Sequence, residues 1–161
     1  MEDGDLLVYA DAGCTLNDNG KQRLAEYFEI VNSSPFGMLT FRLTHLEQVY
    51  TKRDLIQYLG AEEKHQTSGQ ILGTISFMRK CKHSVNVVQQ WYNTCCHYHL
   101  IDDSPSISPN HASFVEHRHD QSVFSLVCKI YGTEVLPDET YYTNWLVDGE
   151  KMPIWATRKR Y

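Results

Sequence analysis

The chain has 161 residues, 42% hydrophobic and 12% aromatic content, and a formal net charge of −5. This is enough apolar material for one buried core, which predicts a single domain over residues 1–161, and the negative balance argues against a general nucleic-acid binder. No apolar run approaches the roughly 18–20 residues needed to cross a bilayer, and no basic leader precedes an apolar segment at the start, so the expected location is cytoplasmic with no transmembrane segment.

Leu6–Ala10 (LLVYA) is an apolar run of strand length that empties into Asp11-Ala12-Gly13-Cys14. Read as a fully buried strand of a parallel-type sheet, it sets Asp11 at the carboxyl edge, where open α/β sheets bind ligands and where a carboxylate suits a metal or a ribose hydroxyl. An Asp two positions before a Gly is also ordinary turn chemistry. After the turn at residues 17–20, Leu24, Tyr27, Phe28 and Val31 fall on one face, so residues 20–31 predict an amphipathic helix. Residues 36–43 read as a strand and 54–59 as a short helix closed by Gly60. The polar stretch 62–68 reads as a loop near the site, followed by a strand over 71–77 and a helix over 85–98. Residues 102–110 (DDSPSISPN) are rich in Pro and Ser and read as a surface loop.

The densest chemistry lies at residues 116–132, EHRHDQSVFSLVCKIYG. Val123, Phe124, Val127, Ile130 and Tyr131 recur at helical intervals, so residues 121–131 predict a helix with Asp120 at its N-cap or first turn, facing the positive end of the dipole. Arg118, His119, Asp120 and Gln121 thus gather at a helix mouth, either as the floor of a polar site or as a capping Asp with solvated neighbours. Strand and helix patterns alternate, which makes the fold class α/β. The five cysteines include the adjacent Cys95 and Cys96 and read as reduced thiols rather than a disulfide framework. Cys81, His83, Cys95, Cys96, His97 and His99 lack the paired spacing of structural zinc sites. Trp91 and Trp145 are both of the type that stacks on a sugar ring, although Trp91, in a helical apolar pattern, is more readily read as core. The closing run Arg158-Lys159-Arg160 is either a solvated tail or a phosphate clamp.

These segments, taken in order, resemble a GT-A glycosyltransferase. VYADAG resembles the strand-end DxD motif that holds a divalent cation and the donor's diphosphate, HDQSVFSLV the downstream Asp-Gln helix start that faces donor sugar and acceptor, and PIWATRKRY the basic tail that closes over the diphosphate. The stretches TSGQILGTISFMRK and SVNVVQQWYNTC are similar to the Gly-containing strand and Trp-bearing helix between those motifs. The resemblance implies a nucleotide-sugar donor, a glycan or other hydroxyl acceptor, and Mn²⁺ or Mg²⁺ as cofactor. It implies that Asp120 is the base or donor-sugar ligand, with His119 and Gln121 as its hydrogen-bonding partners, and that Asp11 holds the metal. Asp11, Ala12 and Gly13, together with Arg158 and Lys159, are expected at the diphosphate, and Asp11 and Asp120 on one cleft. Arg118 either binds substrate or pairs with Asp120, and Gly69 either lets the backbone approach the donor sugar or makes a strand-entry turn. Gly13 stands where DxD has its second acid, leaving one protein carboxylate for a cation that wants about six mostly oxygen ligands. The chain also reaches this motif at Asp11, where a GT-A domain first lays down base-binding strands and helices. The expected architecture is therefore a GT-A-like sandwich lacking the first part of the nucleotide-binding half, with strand Leu6–Ala10 at an edge and open to self-association. A noncatalytic carbohydrate- or partner-binding remnant of that fold is the alternative.

Overall fold

The computed structural model describes residues 1–157, a mixed α/β structure. In chain order the elements are β1 (Leu6–Ala10), β2 (Thr15–Leu16), α1 (Lys21–Ser33), β3 (Met38–Leu46), α2 (Glu47–Tyr50), α3 (Arg53–Tyr58), α4 (Glu63–Gln66), β4 (Gly69–Ile71), β5 (Ile75–Arg79), α5 (Lys82–Cys95), α6 (His119–Tyr131), β6 (Glu134–Pro137) and β7 (Ile154–Trp155). Among the described residues no helix is long and apolar enough to cross a membrane. The chain divides into two compact units, one made of Met1–Phe41, Thr74–Ser84 and the stretch from Thr133 onward, the other of Arg42–Gly73 and Val85–Gly132.

In the first unit β5 is the central strand, with Ile75, Phe77 and Met78 buried. It pairs antiparallel with β1, from Leu6↔Arg79 to Ala10↔Ile75, and with the start of β3 at Met38↔Met78 and Leu39↔Phe77. β6 pairs with β3, where the Thr40 hydroxyl meets the Thr133 hydroxyl at 3.0 Å and the Glu134 carbonyl at 3.2 Å. The predicted amphipathic helix is α1: its buried Tyr27 and Val31 cover the sheet, and the Tyr27 ring lies 5.5 Å from Phe41 and 5.0 Å from Phe77. Each such fully buried side chain contributes roughly 1.5–3 kcal/mol. β2 and β7 form a small antiparallel pair, Thr15↔Trp155 and Leu16↔Ile154.

The expectation of a buried strand in a parallel-type sheet is corrected here. Every strand register found among the described residues is antiparallel, and β1 ends the strand order with Leu6 40% and Leu7 43% exposed. An unbroken apolar run does not say which of two apolar strands takes the centre, and β5 takes it. Asp11 therefore leaves the sheet beside the start of β5, its N–H bonded to the Thr74 carbonyl at 3.0 Å.

In the second unit the end of β3 pairs antiparallel with β4 at Arg42↔Ile71 and Leu46↔Gly69. A Cβ on Gly69 would stand 2.0 Å from the Leu43 carbonyl oxygen, so the missing side chain lets β4 pair with β3. The strand predicted over 71–77 is two strands, because residues 72–74 turn out of β4 before β5 begins. The predicted loop at 62–68 contains α4, closed by a capping box: the Glu62 carboxylate accepts the His65 N–H, and His65 Nδ1 accepts the Glu62 N–H at 3.1 Å. Helix α6 starts at His119, with Arg118 at the N-cap and Asp120 in the first turn, and residues 122–128 are buried on every side.

Candidate functional site

A helix buried all round must satisfy its polar side chains inside the core, and α6 does so through serines. The Ser122 hydroxyl donates to the Tyr50 carbonyl at 2.8 Å, while Ser125 donates to Glu47 Oε2 and accepts the Ile71 N–H at 2.8 Å. Glu47 is fully buried. The Thr51 hydroxyl at 2.6 Å and the Gln70 amide at 3.0 Å donate to its Oε1, and Lys129 Nζ stands 2.7 Å from its Oε2. Gln121 extends the network, donating from Nε2 to Gln70 Oε1 at 3.2 Å and accepting the Gly73 N–H on Oε1 at 3.3 Å. A Cβ on Gly73 would come 3.0 Å from the Gln121 Cβ, so this glycine lets the exit of β4 sit against the first turn of α6.

The helix mouth is held from the other side by α5. Trp91 donates its indole N–H to the Asp120 main-chain carbonyl at 3.1 Å and packs on Phe124 with ring centroids 4.8 Å apart. The Asp120 carboxylate itself is exposed and has no hydrogen-bond or ion-pair partner among the described residues. Burial, reinforced by the Asp120 charge, pushes the Cys95 thiol up to about 11, so it is not a nucleophile at neutral pH.

The expected partners of Asp120 are engaged elsewhere. His119, at a φ of +48°, meets the Ile101 carbonyl through Nδ1 at 2.8 Å and Asp103 through Nε2 at 3.7 Å. Arg118 lays its guanidinium over the Tyr50 ring, 3.8 Å from the centroid, with Nε 3.7 Å from Glu116, so the alternative in which Arg118 pairs with Asp120 is not seen among the described residues. Gln121 is committed to Gly73 and Gln70.

Beside the mouth, the predicted surface loop is pinned down along a half-open pocket of about 210 Å³, whose wall includes Lys52, Asp102, Asp103, Phe114, Glu116 and His117. Lys52, 2% exposed, donates to the His99 carbonyl at 2.8 Å, the Asp102 carbonyl at 3.3 Å and Asp102 Oδ1 at 3.0 Å. The Ser104 hydroxyl and Lys52 hold Asp102 at about 2 against the effect of burial. Burial alone would raise Asp54, but the N–H groups of Ser108 and Ile107, at 2.9 and 2.7 Å, and His99 keep it below the usual carboxylate range. His117 accepts the Lys52 N–H on Nδ1 at 3.3 Å and donates from Nε2 to the Leu100 carbonyl at 2.9 Å. That pattern suits the neutral ring, and burial pushes its pKa down to about 4.

Asp11, Ala12 and Gly13 belong to the first unit, and Asp120 to the second. The Asp11 carbonyl closes a turn with the Cys14 N–H at 2.9 Å, its exposed carboxylate accepts the Tyr9 hydroxyl at 2.8 Å, and the Gly13 carbonyl accepts the Thr157 hydroxyl at 2.9 Å. Among the described residues no group of three or more His, Cys, Asp or Glu is placed to hold a cation. The expected Mn²⁺ or Mg²⁺ would thus have Asp11 as its one protein carboxylate, its other ligands coming from water or phosphate. Trp145 packs with Tyr141, Tyr142 and Trp155 at centroid distances of 5.4, 5.9 and 5.8 Å. Arg158 and Lys159 lie outside the described residues. Gly73, the Trp91 bond to Asp120 and the Lys52–His117 cavity went unread in the sequence, because their parts come from separate segments with no shared spacing. Comparison with family models, curated proteins and solved structures finds no match to this chain.

Proposed function

We propose that the chain is a GT-A-type glycosyltransferase that moves a hexosyl or deoxyhexosyl group from a nucleotide-diphosphate donor to a hydroxyl of a glycan or other acceptor. The observation that carries this reading is the exposed Asp120 carboxylate, without a partner among the described residues, on a backbone held by Trp91 and by the Gln121–Gly73 bond. Presenting a free carboxylate from a rigid scaffold is what a base for an acceptor hydroxyl requires. In an inverting displacement Asp120 takes the acceptor's proton as its oxygen bonds the anomeric carbon and the nucleoside diphosphate leaves. A noncatalytic carbohydrate- or partner-binding remnant is the second reading, favoured by the structural bonds that engage Arg118, His119 and Gln121. Incubating the chain with a panel of nucleotide-diphosphate sugars and hydroxyl acceptors, and following nucleoside diphosphate release, separates the two: release that depends on acceptor supports transfer, and none with any pair supports the remnant.

A further inference from the structure

We infer that the cavity over Lys52 and His117 is the acceptor subsite of that transfer, and that it takes one neutral or amino-bearing sugar ring and turns away an anionic one. The word acceptor rests on the glycosyltransferase reading; the ligand chemistry rests on the cavity. Its volume of about 210 Å³ lies below the roughly 300–1,000 Å³ of sites for drug-sized ligands, so a single ring fits and a nucleotide sugar does not.

The cations of the wall are already engaged. All three Lys52 ammonium protons have acceptors in the His99 and Asp102 carbonyls and the Asp102 carboxylate, and both His117 ring nitrogens hold main-chain partners on a neutral ring. The charge left open on the wall is negative. The Asp103 and Glu116 side chains are 87% and 61% exposed, and their ion-pair contacts, to His119 and Arg118, are long at 3.7 Å. Phe114 and Val115 add an apolar strip on which the C–H face of a ring can lie. Such a wall is complementary to hydroxyl or ammonium donors, whereas a carboxylate or phosphate would meet two like charges and, among the described residues, no free cation on the wall. The donor's diphosphate is thereby kept out. The lip also reaches the helix mouth, since Asp103 faces His119, the residue before Asp120.

The test titrates the full 161-residue chain, without any donor, with glucosamine, glucose and glucuronate, and follows the amide chemical shifts of residues 103–117. Glucosamine and glucose are expected to move them, with glucuronate at least about tenfold weaker than glucosamine, the size two exposed charges supply. That gap should close in the double variant Asp103→Asn/Glu116→Gln, whose exposed sites leave the fold unchanged. Glucuronate binding as tightly as glucosamine, or no sugar moving these amides, overturns the inference. With no donor present, a chain that transfers nothing can still bind sugars here, and one that transfers can still fail to, so the two readings fall separately.

Discussion

The Lys129 side chain is 7% exposed, and its ammonium bonds to Glu47 and to the carbonyls of His65 and Ser68 at 2.7, 3.0 and 3.3 Å. Without it, Glu47 keeps its hydroxyl and amide donors but loses its countercharge in the core of the second unit. Lys129→Met is therefore expected to destabilise by about 3–5 kcal/mol, because removing one partner strands a buried charge. Adding Glu47→Gln should recover most of that loss, since an amide needs no countercharge. Urea unfolding of the single and double variants checks both, and a loss under about 1 kcal/mol in the single variant would mean that water reaches Glu47.

At the scale of elements, His117 shows what a neutral buried imidazole does to stability. The unfolded ring titrates near 6.5, while in the fold its pKa lies at about 4. The unfolded chain thus binds a proton the folded chain refuses, so the contribution of His117 is fully present above pH 6.5 and is lost as pH falls toward 4, on the order of 3 kcal/mol in all. Unfolding free energies of wild type and His117→Gln across that window should converge toward low pH, and parallel curves would contradict the assignment. Helices α1, α3 and α6 were legible in the sequence because each buries a periodic face or ends on a glycine, as Gly60 does at a φ of +64°. The end position of Leu6–Ala10 agrees with the expected edge strand, whereas its reading as a fully buried strand of a parallel-type sheet failed, because an apolar run does not say which strand finds two neighbours. Asp120 was legible from its position before an apolar helix, but its freedom was not: that depends on Arg118 turning to Tyr50 and His119 to Ile101, contacts no local spacing encodes.

For the whole molecule, the net charge of −5 provides some mutual repulsion, while the end strand β1 exposes Leu6 and Leu7. An apolar end strand invites pairing with another chain, and a lysine placed on it opposes that. The weight-average mass in sedimentation is expected to rise with concentration for the wild-type chain and to stay monomeric for Leu7→Lys; a wild-type monomer at every concentration would show that β1 is protected. The assignment of transfer to Asp120 is tested by the turnover of Asp120→Asn, measured as acceptor-dependent nucleoside diphosphate release from whichever donor the wild type uses, with unfolding curves to show that the fold is kept. A general base is worth roughly 10²–10⁴-fold, so a loss of that size at unchanged stability is expected. A variant within about twofold of wild type would remove Asp120 from the chemistry.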